Sequence, residues 1–134
     1  MITRLRAQNF KSWKDTGDLR LGRLTGLFGT NSSGKTSILQ ILPLLKQTAE
    51  FPDRNRVLYT GTDESPVTLG TLLDIIHGHH AEAAVKLCLT WTDEHSLANH
   101  RRPLFDPLYS PTRISFSTSI FSGKEGPTVD SFEY

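Results

Sequence analysis

The sequence feature that most constrains this chain is a glycine-rich stretch that reads Gly29, Thr30, Asn31, Ser32, Ser33, Gly34, Lys35 and Thr36. It fits the pattern G-x-x-x-x-G-K-[ST], which is typical of loops that bind nucleotide phosphates. Its two glycines allow backbone angles and close approaches that a Cβ would block, so the N–H groups between them can converge on phosphate oxygens. Lys35 would bring a positive charge to the β- and γ-phosphates, and the Thr36 hydroxyl would ligate Mg²⁺. We therefore predict a phosphate-binding loop (P-loop) at residues 29–36, with Ser37 beside it.

The sequences on either side support this prediction. Residues 24–28 are short and mostly apolar, which favours a buried strand. Residues 37–47 carry apolar side chains around most of a helical circumference, which indicates a buried helix whose positive end would face the anion. Pro43 lacks a backbone N–H and should kink this helix or end it early. The alternative is a glycine- and serine-rich turn with an incidental lysine, and the order of strand, loop and helix argues against it.

Length and composition indicate one soluble domain, or part of one. The chain has 134 residues, with 37% hydrophobic and 22% charged, as in ordinary soluble proteins. We expect one incomplete domain, with a hairpin and the P-loop in residues 1–48 and a variable region of loop, helix and strand in residues 49–134. No apolar run approaches the roughly 18 residues that a membrane span needs, and no secretory segment follows Met1, so we expect a cytoplasmic protein without membrane contact. Cys88 is the only cysteine, which excludes a disulfide framework.

Local patterns predict the remaining elements. Apolar and polar residues alternate in four segments predicted as strands, which are residues 2–7, 19–21, 85–91 and 114–120. Thr71 and Asp74 have the spacing of a capping arrangement, and Gly78 is placed to end a short helix. Residues 50–61 are charged and rich in turn formers, which predicts a surface loop. A further element begins near residue 128.

Residues 5–13, LRAQNFKSW, and residues 29–40, GTNSSGKTSILQ, resemble the start of ABC-type ATPase heads. The most similar kinds are SMC, RecF and OLD, including bacterial ATPases known as the AAA family. Their first strand usually ends in N-F-K/R-S-aromatic, and their P-loop often reads G-x-N-x-S-G-K-[ST]. The resemblance covers about the first third of the chain. It implies a P-loop NTPase of the α/β class, with a mixed sheet and a buried P-loop helix.

The resemblance also implies roles and partners. ATP and Mg²⁺ would be the ligands, with Asn31 near the γ-phosphate and with Lys11 and Ser12 approaching the nucleotide from the preceding loop. Trp13 is either a packing residue, the commoner role for such a side chain, or a platform for adenine. Relatives of this kind work as head-to-head homodimers, and many act on DNA or with a nuclease, some of them in defence against phage.

The sequence departs from the family after its first third. A Walker B strand needs four apolar residues followed by Asp-Glu, but Leu72-Leu73-Asp74 is preceded by Gly70 and Thr71 and followed by Ile75. A signature of the L-S-G-G-Q kind is also missing, and residues 122–126 indicate a hairpin turn instead. The chain therefore resembles the N-terminal lobe of a longer head, and we expect it not to hydrolyse ATP alone.

Other interpretations stay open. A GTPase or a small-molecule kinase would also carry a P-loop, although D-x-x-G and N-K-x-D are absent and about 28 residues precede the loop. A binding module that uses ATP without hydrolysing it is the other alternative. The histidines suggest a metal site, but their spacing fits no standard motif; they are His77, His79, His80, His95 and His100. Arg101 and Arg102 are typical of a solvated turn rather than a nucleic-acid contact.

Overall fold

The computed structural model describes residues 1–53, 55–80, 82–92, 113–123 and 126–133. Its strands are Ile2–Phe10 (β1), Trp13–Asp15 (β2), Leu19–Arg20 (β3), Val85–Thr92 (β4), Arg113–Gly123 (β5) and Gly126–Glu133 (β6). Its helices are Lys35–Glu50 (α1) and Leu72–Ile75 (α2), and a 3-10 turn follows at His77–His79. The predicted α/β class and the four predicted strands are confirmed, and the element expected near residue 128 is β6.

The strands form a six-stranded sheet in the order β2-β1-β4-β5-β6, with β3 also pairing with β1. Every pairing among the described strands is antiparallel. Leu5 of β1 stands opposite Leu19 of β3 on one side and Leu89 of β4 on the other. Strand β1 therefore joins the N-terminal strands β2 and β3 to the later strands of the sheet, which begin with β4.

The two faces of the sheet differ in polarity. In β4 the side chains of Val85, Leu87 and Leu89 are buried, whereas the intervening Lys86 is exposed. The buried set belongs to the same core cluster as one face of α1, which contributes Ile38, Ile41 and Leu44. This alternation is what a strand with one buried face requires. Helix α1 is thus packed on the core and carries the P-loop at its N-terminus.

Pro43 was expected to kink helix α1 or to end it early. The helix continues through Pro43 to Glu50, so the early end is wrong, and the kink stays a prediction. Proline removes the N–H that would bond the carbonyl of Leu39. Leu39 lies on the solvent side of the helix, with 63% of its surface exposed, so water can reach that carbonyl. Burial of α1 is also one-sided, because Leu42 is 37% exposed while Leu44 is fully buried.

We expect Pro43→Ala to leave the free energy of unfolding within about 1 kcal/mol of the wild type, or to raise it slightly. Alanine restores an N–H for the Leu39 carbonyl but makes the unfolded chain more flexible. Thermal unfolding measures the effect. Leu44→Ala is the control on the same helix, and loss of this fully buried side chain should cost about 2–5 kcal/mol. A cost of that size for Pro43→Ala would show that the proline shape is part of the packing.

Residues 24–28 do not form the predicted buried strand. Leu24 and Phe28 are each 95% exposed, and only Leu27 of the apolar residues in this segment packs against the core. A buried strand needs hydrogen-bonding partners for its N–H and C=O groups. None of the described strands pairs with this segment. The apolar pattern is present, but the neighbour that would bury it is not among the described residues.

The connection between α1 and α2 is ordered by one buried glutamine. Gln47 is 6% exposed, and its Nε2 donates to the carbonyl oxygens of Tyr59 at 2.8 Å and Val67 at 3.1 Å. Its Oε1 accepts the Val67 N–H at 3.3 Å. Glu50 ends α1, and the described residues that follow it in the predicted loop of residues 50–61 lack helix and strand, as expected. The segment folds back so that Leu58 is buried.

Helix α2 begins with the capping box that was predicted. The Thr71 hydroxyl accepts the Asp74 N–H at 3.3 Å, and the Asp74 carboxylate accepts the Thr71 N–H at 2.7 Å. The helix ends at Ile75, earlier than predicted, and Gly78 occupies a left-handed conformation in the 3-10 turn that follows. Within the described part of the chain, no helix combines the length and apolar character that a membrane span requires.

Candidate phosphate-binding site

The predicted P-loop lies directly at the N-terminus of α1. Three of its residues have positive φ angles, which are 150° at Gly29, 62° at Ser32 and 84° at Gly34. Gly34 is the N-cap residue and supplies no side-chain cap, so the first N–H groups of the helix have no intrahelical or capping acceptor. A helix N-terminus with unbonded N–H groups attracts anions through these donors and through the helix dipole.

The ammonium group of Lys35 is folded onto the loop itself. Its Nζ donates to the carbonyl of Gly29 at 2.9 Å, to the carbonyl of Thr30 and to the hydroxyl of Ser33 at 3.1 Å. An ammonium group has three donors, so the loop engages all of them. A phosphate that bonds to Lys35 must therefore replace at least one of these contacts.

A pocket of about 340 Å³ is centred on the loop. It is lined by Ser12, Asn31, Ser32, Ser33, Gly34, Lys35, Thr36 and Ser37. Eight of the predicted site residues thus come together. Gly29 and Thr30 are outside the lining and contribute through their bonds to Lys35. Backbone N–H groups, hydroxyls and an ammonium group form a donor set that suits phosphate. Thr36, the residue whose hydroxyl would ligate Mg²⁺, is among the lining residues.

Lys11 is placed beside α1 rather than in the pocket lining. Its Nζ donates to Oε1 of Gln40 at 3.3 Å, and its backbone N–H donates to the carbonyl of Ile75 at 2.6 Å. Nδ1 of His77 lies 2.8 Å from the Lys11 carbonyl. The turn between β1 and β2 is therefore held between α1 and the segment after α2. Whether Lys11 reaches a bound nucleotide stays a prediction.

The two residues after Lys11 contact the P-loop. The Ser12 and Ser37 hydroxyls are 3.4 Å apart, and the Trp13 indole N–H donates to the carbonyl of Gly34 at 2.9 Å. The sequence predicted Ser12 near the site and favoured a packing role for Trp13. It did not predict the contact with Gly34, because residues 21 apart in sequence meet there.

An ion pair fixes the hairpin that carries these residues. Arg6 donates from Nε and Nη2 to the two carboxylate oxygens of Asp15, at 3.1 and 2.6 Å. Gln8 and the N–H of Gly17 donate to the same carboxylate at 2.8 Å each. The hydrogen bond from Arg6 is the main reason that the pKa of Asp15 lies well below its usual range, followed by those from Gln8 and Gly17. The β1–β2 hairpin is thus fastened on the face opposite the core.

Asp74, His77 and His79 each have a structural explanation. Asp74, the carboxylate of the rejected Walker B match, is bonded to Thr71, and these hydrogen bonds lower its pKa. Among the residues that the structure describes, no three His, Cys, Asp or Glu side chains could share a metal ion. His77 bonds to the Lys11 carbonyl and His79 to that of Leu73. Two further histidines and the arginine pair lie outside the described residues; they are His95, His100, Arg101 and Arg102.

A pocket of about 360 Å³ elsewhere is a weaker candidate for a phosphate site. Its lining includes Arg56 and Asp53 together with the apolar Leu58 and Leu72. Arg56 also stacks over the rings of Phe51 and Tyr59, which themselves stack with centroids 4.1 Å apart. The carboxylate would repel a phosphate, and glycine-rich backbone is missing from the lining.

Comparison with known proteins identifies the family of the chain. A family model for the AAA ATPase domain matches residues 1–124. One solved structure, from work on ATP-driven dimerisation and DNA-stimulated activation of SMC ATPases, is similar over 97% of this chain and 69% of that chain. Its sequence identity is 16% and its TM-score 0.42. No curated protein matches the chain.

Proposed function

The chain belongs to the AAA ATPase domain family, and from this premise we propose that it binds ATP with Mg²⁺ at residues 29–37. The observation that supports the proposal best is the pocket in which Lys35, Thr36 and the uncapped N-terminus of α1 meet. The resemblance to ATPases of the AAA family, which the first third of the sequence suggested, is confirmed by the same match. A GTPase or a small-molecule kinase is correspondingly disfavoured.

Each part of the pocket has a proposed role. The N–H groups at the start of α1 bond the phosphates, and Lys35 exchanges contacts within the loop for the β- and γ-phosphates. Thr36 ligates Mg²⁺ through its hydroxyl, and Asn31 lies near the γ-phosphate. Ser12 closes the pocket from the β1–β2 turn, which also brings Lys11 towards the nucleotide.

We propose that ATP hydrolysis requires groups other than those lining this pocket. Phosphoryl transfer to water needs a second side of the site that holds the metal ion and orients the water. Among the residues that the structure describes, the pocket lining contains no aspartate or glutamate. We propose that a C-terminal lobe of the head supplies the acidic group and that hydrolysis also requires a head-to-head dimer. A DNA- or nuclease-linked role belongs to the same proposal, and it rests on the sequence resemblance alone.

Lys35→Ala tests the proposal. We expect the mutation to weaken Mg·ATP binding by about 1.5–3 kcal/mol, because a charge-assisted hydrogen bond to phosphate is lost. Titration calorimetry with Mg·ATP measures it. Lys46→Ala is the matched control on the same helix, since Lys46 is 72% exposed and pairs only loosely with Glu50 at 3.8 Å. Equal affinity of the wild type and Lys35→Ala would refute an ATP site at this loop.

A further inference from the structure

We infer that Trp13 is a positioning residue of the nucleotide site, in that its indole N–H sets the direction of the Gly34 peptide. The inference rests on the proposed ATP binding, because it assigns Trp13 a part in preparing the loop for phosphate. A stacking platform for adenine would instead need the ring to face the nucleotide. In the structure the indole ring contacts the backbone of the loop instead.

The indole ring of Trp13 donates a hydrogen bond to Gly34 and also lies directly against it. Nε1 donates to the Gly34 carbonyl at 2.9 Å. A Cβ placed on Gly34 would lie 2.6 Å from Nε1 and 3.1 Å from Cε2 of the same ring. Real Cβ atoms do not approach other atoms so closely, so the indole occupies the space that only glycine leaves open. The hydrogen bond and the shape of the loop therefore depend on each other.

The Gly34 carbonyl also begins the helix. It accepts the N–H of Ile38 at 3.3 Å, which is the first hydrogen bond of α1. The same carbonyl thus has two donors, one from the helix and one from Trp13. A peptide group is planar and trans, so the direction of the Gly34 carbonyl determines that of the Lys35 N–H on the other side of the bond. By holding the carbonyl, Trp13 aims a donor of the phosphate site away from the indole.

Trp13 holds the loop from a fixed support. It pairs with Phe10 across the β1–β2 turn, and Phe10 is fully buried. Asn9, which precedes Phe10 in β1, is also anchored, because its Nδ2 donates to the carbonyl of Ala84 at 3.0 Å. The P-loop, by contrast, is exposed at most of its residues. A rigid residue beside an exposed loop is suited to pre-organise it for a ligand.

Trp13→Phe tests the inference, because phenylalanine keeps an aromatic ring but has no N–H. We expect Mg·ATP affinity to fall about three- to tenfold, the effect of losing one ordinary hydrogen bond. Trp91→Phe is the matched control. Trp91 is partly buried like Trp13, but it pairs with Ile2 at the opposite end of β1. Trp91→Phe should lower the stability of the chain without lowering its affinity for Mg·ATP.

Nuclear magnetic resonance provides a readout that does not need the nucleotide. In Trp13→Phe the amide signals of residues 34–37 should shift or broaden, whereas those of β4 and β5 should stay in place. Trp91→Phe should give the reverse pattern. General destabilisation would not confine the change to the loop.

The outcomes separate this inference from the proposed function. If Lys35→Ala weakens binding while Trp13→Phe binds as tightly as the wild type, ATP binding stands and the role of Trp13 is overturned. If the wild type does not bind Mg·ATP, the proposed function fails and the amide signals decide. Unchanged signals of residues 34–37 in Trp13→Phe then overturn the inference, and shifted signals support a positioning role for whichever anion the loop takes.

Discussion

Replacing Gly61 with alanine is expected to lower the free energy of unfolding by about 2–5 kcal/mol. A Cβ on Gly61 would lie only 2.0 Å from the carbonyl oxygen of Val67, and the φ angle of +94° is one that L residues adopt only with strain. Small domains are stable by about 5–15 kcal/mol, so this one methyl group would remove a large part of the total.

The Val67 carbonyl cannot easily move aside. It accepts a hydrogen bond from Gln47, which also holds Val67 through its N–H and Tyr59 through its carbonyl. Gln47 is buried on α1, so displacing Val67 would leave polar groups without partners. The strain would also reach Leu69, which is 4% exposed and contributes to the core.

Urea or thermal unfolding measures the effect, and Gly17→Ala is the matched control. Gly17 also has a positive φ angle, +63°, but a Cβ there would meet nothing within 4 Å. Its substitution should therefore cost only the backbone strain, about 1–2 kcal/mol. If the two variants lost the same stability, the loop around Gly61 would be relaxing, and the contact with Val67 would not explain the glycine.

Elements determined by local pattern were predictable from the sequence. Strand β4 alternates buried side chains with exposed or partly buried ones from Val85 to Leu89, and a repeat of two residues suffices to recognise it. The capping box of Thr71 and Asp74 depends on residues three apart. The P-loop is local in the same sense, since its glycines, lysine and hydroxyl residue are consecutive. Its recognition needed no knowledge of the rest of the chain.

Elements determined by distant partners were not predictable in the same way. Residues 24–28 have the composition of a buried strand, but composition cannot say whether a neighbouring strand is there to pair with them. The effect of Pro43 also depends on context, because an exposed helix face tolerates a carbonyl without its usual donor. No local pattern indicates that Gln47 organises the loop after α1, since its partners are 12 and 20 residues away.

The candidate site also combines residues that are neighbours in the chain with a contact between distant residues. Residues 31–37 come together because they are neighbours in the chain, and Ser12 was expected there only through a family resemblance. The contact of Trp13 with Gly34 requires the hairpin and the helix to be correctly placed in space. A conspicuous signal was nevertheless present, namely an aromatic residue just after Lys11 and Ser12 in a chain with two tryptophans.

Replacing Gly34 with alanine is expected to weaken Mg·ATP binding by about 100-fold or more while the chain stays folded. Alanine at a φ angle of +84° is strained, and its Cβ would meet Trp13 at 2.6 Å and the Cβ of Ser12 at 3.1 Å. The loop can escape this only by turning the Gly34 peptide. The hydrogen bond to the indole and the direction of the Lys35 N–H would then be lost together. Because the loop is exposed, the substitution should weaken binding at the site without unfolding the core.

Calorimetry with Mg·ATP and a melting curve together test this expectation, with Gly22→Ala as the control. Gly22 has no positive φ angle, and the nearest atom to its Cβ would be the Leu24 carbonyl oxygen at 3.6 Å, an ordinary contact. The double variant Gly34→Ala/Trp13→Ala distinguishes the causes. If crowding against the indole is what displaces the loop, removing the indole should make the double variant bind no more weakly than Gly34→Ala alone. Losses that simply multiplied would contradict a shared mechanism and assign the whole effect to the backbone angle of Gly34.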